Sequence, residues 1–333
     1  MDILILLKKD FLQQEHRKVK WLQVKVIYFP EEPSLAAELI FAQMYNLGLT
    51  GLIETQPGRD ESQDWVQDAP IIEKDYAITG FFSCIDTAKK IVEQLQAGLR
   101  AIQKIGHFTF ILEETLVDEE DWAESWKSFF LPQRIGKHFV VKPTWHKYDL
   151  ASSEVLIEID PGMAFGTGSH PTTSLCLEVL EEIEVEGKNV LDIGTGSGIL
   201  LIGAAKLRAA HLTGTDIDPV AIAVAARNLK LNHIPAEQYD LKEGDLVNVV
   251  TNIYDVVIVN ILTDVILRLL PDIHAIVKEN SLLLISGIIE ENQKIIYDEM
   301  KNVGFEEIKI RSQDGWIVLW GHYRMRAKSI LSA

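Results

Sequence analysis

The run Val190-Leu191-Asp192-Ile193-Gly194-Thr195-Gly196-Ser197-Gly198 joins an apolar strand pattern to a helical one. Alternate glycines let a backbone turn sharply and approach a ligand where a Cβ would collide. A dinucleotide fingerprint needs G-x-G-x-x-G to seat a pyrophosphate on the helix N-terminus, and Ile199 stands where the third glycine belongs. NAD is therefore not expected to bind, although a glycine-rich turn of another nucleotide fold remains open. Further on, Thr215-Asp216-Ile217-Asp218-Pro219 closes the next strand. A carboxylate there can accept from both hydroxyls of a ribose. Asp216, at the strand end, is the candidate, and Asp218 before Pro219 reads as a helix cap. Asp245, after Gly244, could reach an adenine amino group or serve as a plain turn residue. Asn260 ends the strand DVVIVN at the sheet edge where such folds bind ligands. Its amide can accept hydrogen bonds from an amine and aim the nitrogen lone pair, though a bare Asn there also forms turns.

Upstream lies Asp160-Pro161-Gly162-Met163-Ala164-Phe165-Gly166-Thr167-Gly168-Ser169-His170-Pro171-Thr172-Thr173. Three glycines between Gly162 and Gly168 read as a loop able to fold over a ligand, or as an ordinary turn at Asp160-Pro161-Gly162. His170 has no second ligand at metal-binding spacing, so no metal is expected. Thr172 or Thr173 is expected to cap the helix that follows.

Holding these residues at one edge calls for alternating strands and helices in a doubly wound sheet from Val155 onward. Strands are expected over 186–193, 211–217, 255–261, 281–286 and 315–320. Helices are expected over 199–207, 220–231, 266–277 and 291–303. Before them, 19–28, 51–55, 76–84 and 108–116 read as strands and 35–47 and 88–104 as helices, with Ser34 and Asp86 or Thr87 as caps. That β-α-β-β-α-β order is the ferredoxin-like motif. The expected division is an extension over 1–18, a ferredoxin-like domain over 19–117, a connector over 118–150 and the α/β domain over 151–333. Gln56 to Pro70 reads as a polar loop. In the connector, Trp122, Trp126, Phe129 and Phe130 fall at helical spacing, as a core-facing stripe or as a lever between domains.

The 333 residues exceed one comfortable core and fit about two domains. With 32 Lys+Arg against 49 Asp+Glu, the formal charge of -17 repels polyanions on average and favours a basic protein partner over nucleic acid. Cys84 and Cys176 are far apart, which excludes a disulfide framework and a cysteine zinc site. No apolar window approaches the roughly 18 residues needed to span a bilayer, and Ile3 to Leu7 is too short for a signal sequence. A cytoplasmic protein, monomeric and without membrane or nucleic-acid partners, is expected.

The D-x-G-x-G-x-G run resembles the pattern of class I S-adenosylmethionine enzymes, in which Asp192 can receive the cofactor's amino group. Asp160 to Thr173, Leu191 to Leu200 and Asn260-Ile261-Leu262 resemble the ribosomal protein L11 methyltransferase (PrmA) family, as do Asp121-Trp122 to Pro132 and Pro143-Thr144-Trp145. The resemblance spans nearly all of residues 19–322. It implies a class I α/β domain that transfers methyl groups from S-adenosylmethionine and an N-terminal domain that recognises the substrate. The family's cofactor positions fall on Thr173, Gly194, Asp216 and Asn260, and Gly196, Gly198 and Asp245 would complete the set. Phe165, Gly166, Thr167, Gly168 and His170 would form the active-site loop and Asn260 would orient the amine. The family trimethylates lysine side chains and an N-terminal α-amine of ribosomal protein L11. The rivals are an enzyme of the same class acting on another protein's lysines, a nucleic-acid amino-methyltransferase, and a non-catalytic cofactor-binding module. The charge, and the lack of a Pro-Pro-aromatic after Asn260, argue against the nucleic-acid enzyme. A radiolabel transfer assay separates the module from an enzyme.

Overall fold

The computed structural model describes residues 20–55, 57, 75–82, 85–118, 130–160, 166, 168 and 170–325. Its N-terminal part runs β1 (Lys20–Pro30), α1 (Pro33–Asn46), β2 (Thr50–Thr55), β3 (Tyr76–Phe82), α2 (Ile85–Ile102) and β4 (Phe108–Asp118). The strands form an antiparallel sheet in the order β2-β3-β1-β4, the β-α-β-β-α-β arrangement expected from the pattern. Because side chains alternate across a strand, Leu22, Val24, Val26 and Tyr28 share one face and bury against Ile40, Met44, Leu95 and Leu99 of the two helices. Ser34 does not cap α1. The cap position is Glu32, without a side-chain bond, and Pro33 takes the first turn, where its missing N–H is harmless. The Ser34 hydroxyl instead donates to the Asp314 carbonyl at 3.0 Å, far along the chain.

Within the expected connector lie β5 (Gln133–Ile135) and β6 (Phe139–Pro143). β6 pairs antiparallel with β5 and parallel with β7 (Val155–Ile159), so this segment builds a small sheet with buried Phe139, Val140 and Val141. Phe130 is buried, while Trp122, Trp126 and Phe129 lie outside the described residues. So do 1–18, the Gln56–Pro70 loop except Pro57, and Phe165 and Thr167.

After α3 (Pro171–Leu180) come β8 (Asn189–Ile193), α4 (Ile199–Lys206), β9 (His211–Asp216), α5 (Pro219–Leu231), β10 (Tyr239–Glu243) and β11 (Tyr254–Asn260). The chain continues through α6 (Thr263–Leu269), β12 (Val277–Ile289), α7 (Gln293–Asn302), β13 (Phe305–Gln313) and β14 (Trp316–Tyr323). The seven strands lie in the order β10-β9-β8-β11-β12-β14-β13, parallel except for β14 and the edge pair it makes with β13. Val256 and Ile258 pack into one core and Val257 and Val259 into the other, so both faces of β11 are covered. Burial on both faces accounts for its unbroken apolar run.

Two expectations for this part need correction. The helix expected over 266–277 is α6 followed by a 3-10 turn, Leu270–Ala275, and Val277 already belongs to β12. Pro271 causes the change, since its ring and missing N–H break an α-helix. β13 was not anticipated at all. It is an edge strand whose charged residues face water, so it lacks the apolar alternation that marks a half-buried strand. Among the described residues no helix is long and apolar enough to cross a membrane.

Candidate active site

The strand order reverses between β8 and β11, and open α/β sheets bind ligands at such a switch point, beyond the carboxyl ends of the strands. Register places three of the expected residues there. Asp192 lies opposite Ile258 of β11 and Gly214 of β9, and Asp216 and Asn260 are the last residues of β9 and β11.

Asp192 is only 1% exposed. Its Oδ2 accepts from the Thr195 hydroxyl at 2.8 Å, and its Oδ1 is buried with no hydrogen-bond partner. Burial pushes its carboxyl up to about 7, with the charge of Asp216 adding to the effect and the Thr195 bond opposing it. A buried, half-satisfied carboxylate is costly on its own and favours a cation beside it.

The glycine run wraps over the end of β9. Gly194 and Thr195 N–H donate to the Thr215 carbonyl at 2.8 and 2.9 Å, Gly196 N–H donates to Asp216 Oδ2 at 3.0 Å, and Gly198 is the N-cap of α4. At Gly194, φ is +74° and a Cβ would overlap the Ile261 side chain, so both conformation and space require glycine. Asp216 Oδ1 also accepts from Asp218 N–H at 3.0 Å, so backbone donors hold both oxygens in place. Burial raises its carboxyl, and these backbone bonds pull it back. Asp218 caps α5 as expected, accepting from Val220 N–H at 2.8 Å. Asp245 is exposed and follows Gly244, whose N–H donates to the Asp216 carbonyl at 2.8 Å. It therefore sits at the rim, two strands out from Asp192.

The Asn260 amide nitrogen makes a long 3.5 Å contact to the Thr173 hydroxyl, and its Oδ1 is buried without a partner. Thr173 is free for this contact because neither Thr172 nor Thr173 caps α3. The N-cap is His170, whose Nδ1 accepts from Thr172 N–H at 3.3 Å. Pro171 has no N–H, so Thr172 carries the first donor needing an acceptor, and the ring two residues earlier reaches it. Of the expected loop, Gly166 and Gly168 are anchored through their carbonyls. The Ser197 hydroxyl donates to Gly166 and the Ser174 hydroxyl to Gly168, the latter at 2.9 Å.

Two helix amides in this arrangement were not anticipated. Asn228, fully buried in α5, donates to the Ser197 carbonyl at 2.8 Å and accepts from Asp160 N–H at 2.9 Å. Asn232, one turn on, accepts from Glu158 N–H at 2.9 Å and donates to its carbonyl at 2.6 Å. Together they satisfy the free edge of β7 and tie the start of the 160–170 loop to the glycine turn. The signal was present as two amides four residues apart on a helix stripe that otherwise carries Ala221, Val224, Ala225 and Leu229. Among the described residues no group of three or more His, Cys, Asp or Glu could hold a metal ion.

Comparison with known proteins places the chain in a family. The family described as "Ribosomal protein L11 methyltransferase (PrmA)" matches residues 20–324. A ribosomal protein L11 methyltransferase of Fusobacterium nucleatum is 36% identical over 305 residues, covering 90% of this chain and 97% of that protein. One from Desulfitobacterium hafniense is 38% identical over 296 residues, covering 86% and 94%. The crystal structure of a ribosomal protein L11 methylase from Lactobacillus delbrueckii subsp. bulgaricus superposes with a TM-score of 0.55 at 29% identity, covering 59% of this chain and 100% of that one.

Proposed function

The chain belongs to the ribosomal protein L11 methyltransferase (PrmA) family, and from that membership we propose that it transfers methyl groups from S-adenosylmethionine to lysine side chains and the N-terminal α-amine of ribosomal protein L11. The observation that carries the amine assignment is the Asn260 side chain. Its nitrogen is turned toward Thr173, which leaves a buried acceptor oxygen at the switch point, on the strand next to that of Asp192. An acceptor without hydrogen-bond donors suits an amine N–H.

The cofactor supplies a sulfonium methyl, electrophilic enough that positioning and desolvation suffice without a nucleophilic side chain. The orphan Oδ1 of Asp192 suits the cofactor's ammonium group, the clamped carboxylate of Asp216 suits two ribose hydroxyls, and Asp245 at the rim suits an adenine amino group. The acceptor amine must be neutral, and holding a lysine neutral at pH 7 costs about 4–5 kcal/mol in water. A partly apolar site lowers that cost. Asn260 Oδ1 then accepts from an amine N–H and turns the lone pair toward the methyl in the first two transfers. Each product ammonium loses its proton to water before the next, and the neutral dimethylamine, which has no N–H, relies on positioning alone. No general base is required. Gly166 and Gly168, whose carbonyls Ser197 and Ser174 hold, belong to the active-site loop. The N-terminal sheet docks the target in a cytoplasmic setting. Because β6 pairs with β7 and β5 with β6, the methyl-transferring part takes in residues from Gln133. Incubation with labelled cofactor and methyl-deficient ribosomal protein L11, followed by mapping of the label, tests the whole reading. Label on oxygen, or none on L11, would refute it.

Asp216→Ala should weaken cofactor binding by on the order of a hundredfold or more, since two hydrogen bonds to a charged acceptor are lost, each contributing about 1.5–3 kcal/mol. Unchanged affinity by calorimetry would remove the ribose assignment. A second expectation concerns pH. The Asp192 carboxyl stands near 7 in the free protein, above its ordinary value of 3.8. Ionising it therefore opposes folding, and the free protein should lose stability as pH rises from about 4 through about 7. A bound ammonium favours the ionised form, so binding below pH 7 must release a proton. The cofactor Kd should rise about tenfold from pH 8 to pH 6, and Asp192→Asn should abolish that dependence. A flat wild-type profile would show that Asp192 does not receive the cation.

A further inference from the structure

We infer that Glu54 and His170 form a positioning pair, through which the N-terminal sheet holds the start of α3 where Thr173 can orient Asn260. The inference rests on the amine-orienting role of Asn260 proposed above.

Glu54 lies in β2 and His170 precedes α3, and their side chains are 6% and 10% exposed. His170 Nε2 stands 3.4 Å from Glu54 Oε2. Since Nδ1 accepts from Thr172 N–H, the ring proton is assigned to Nε2, facing the carboxylate. The other Glu54 oxygen accepts from the Tyr28 hydroxyl at 3.3 Å. The ring also sits between Phe41 of α1 and Trp316 of β14, with centroids 6.0 and 4.8 Å away. One side chain therefore caps the helix that bears Thr173 and meets a strand of the N-terminal sheet.

Buried polar pairs add little to stability compared with apolar packing, and fixing geometry is their better-supported use. Here the fixed element is the first turn of α3. A ring released from Glu54 can tilt, and the Thr172 N–H and the Thr173 hydroxyl move with it. The Asn260–Thr173 contact, already 3.5 Å, tolerates little displacement. A second link reaches the other side of Asn260, where the Thr263 hydroxyl donates to Glu38 of α1 at 3.0 Å. The N-terminal sheet and its helix thus touch both segments that carry the amine-orienting pair. Docking of the protein substrate on that sheet and alignment of the amine become one mechanical unit.

The test compares Glu54→Gln, Glu54→Ala, His170→Asn and the Glu54→Ala/His170→Asn double variant. Turnover of ribosomal protein L11 is normalised to cofactor-binding stoichiometry. Asparagine still caps a helix but cannot reach Glu54. Glu54→Ala and His170→Asn should each lower kcat about tenfold while both KM values stay within about twofold, and the double variant should be no slower than the worse single. Glu54→Gln keeps an acceptor for Nε2–H and should stay within about threefold of wild type. Wild-type kcat in His170→Asn, or additive losses in the double variant, would overturn the pair. Should Glu54→Ala fail to fold, His170→Asn decides alone. Asn260→Ala is run alongside. If it loses turnover while His170→Asn does not, only the positioning pair fails, and if Asn260→Ala keeps full turnover, the amine-orienting reading itself fails.

Discussion

Replacing Asn260 with alanine is expected to cut turnover by on the order of 10² while leaving the melting temperature within a few degrees of wild type. The residue ends β11, half-buried, and its only side-chain hydrogen bond among the described residues is the 3.5 Å contact to Thr173. Its Oδ1 is buried without a partner, so removing it deletes an unsatisfied group rather than a structural bond. In the proposed mechanism the oxygen fixes where an amine lone pair points. Losing one preorganised contact of that kind typically costs about 10²–10³ in rate. Cofactor affinity, which the proposed site assigns mainly to Asp192, Asp216 and the glycine turn, should change little. Steady-state kinetics with calorimetry and thermal melting check this. A collapsed melting temperature with full activity per folded molecule would make Asn260 structural.

Gly287→Ala should destabilise the protein by about 2–5 kcal/mol and lower activity in whatever fraction folds. Gly287 lies in β12, one residue past Ser286, which pairs with Asn260. The register of β12 against β14 shifts between Ile285 and Ile288, and at Gly287 φ is +82°. A Cβ there would overlap the Ile261 carbonyl oxygen, which is backbone and cannot rotate aside. The left-handed conformation costs an L residue about 1–2 kcal/mol, and forced overpacking adds roughly 1–3. Gly194 presses on the same isoleucine from its side-chain face, so Ile261 threads between two glycines. Relief of the clash must displace Ile261 and, with it, the neighbouring Asn260 amide. Denaturant titration and kcat per folded molecule measure the two effects. A loss below about 1 kcal/mol with intact turnover would mean that the Ile261 backbone is not held this way.

The glycine turn, Asp192, Asp216 and Asn260 were legible because each sits at a fixed place in a local pattern. An apolar run of strand length ends in a residue that must emerge at the sheet's carboxyl edge, whatever lies beside it. The β-α-β-β-α-β order was legible for the same reason, since periodicity and turn residues are set within a few positions of chain. Local pattern misled where a single residue overrode it, as Pro271 did in the helix expected over 266–277, and where exposure removed it, as in β13. Only the tertiary structure decided which caps and polar partners form. Ser34 is a good cap by type, yet its hydroxyl goes to Asp314. Thr172 and Thr173 are good caps by type, yet His170 takes that role and leaves Thr173 facing Asn260. The Asn228 bridge to Asp160 and Ser197, the Glu54–His170 contact and the need for glycine at 287 all join residues distant in sequence. A hydrogen bond needs its partner within about 3 Å and in the right direction, and across such separations packing sets both.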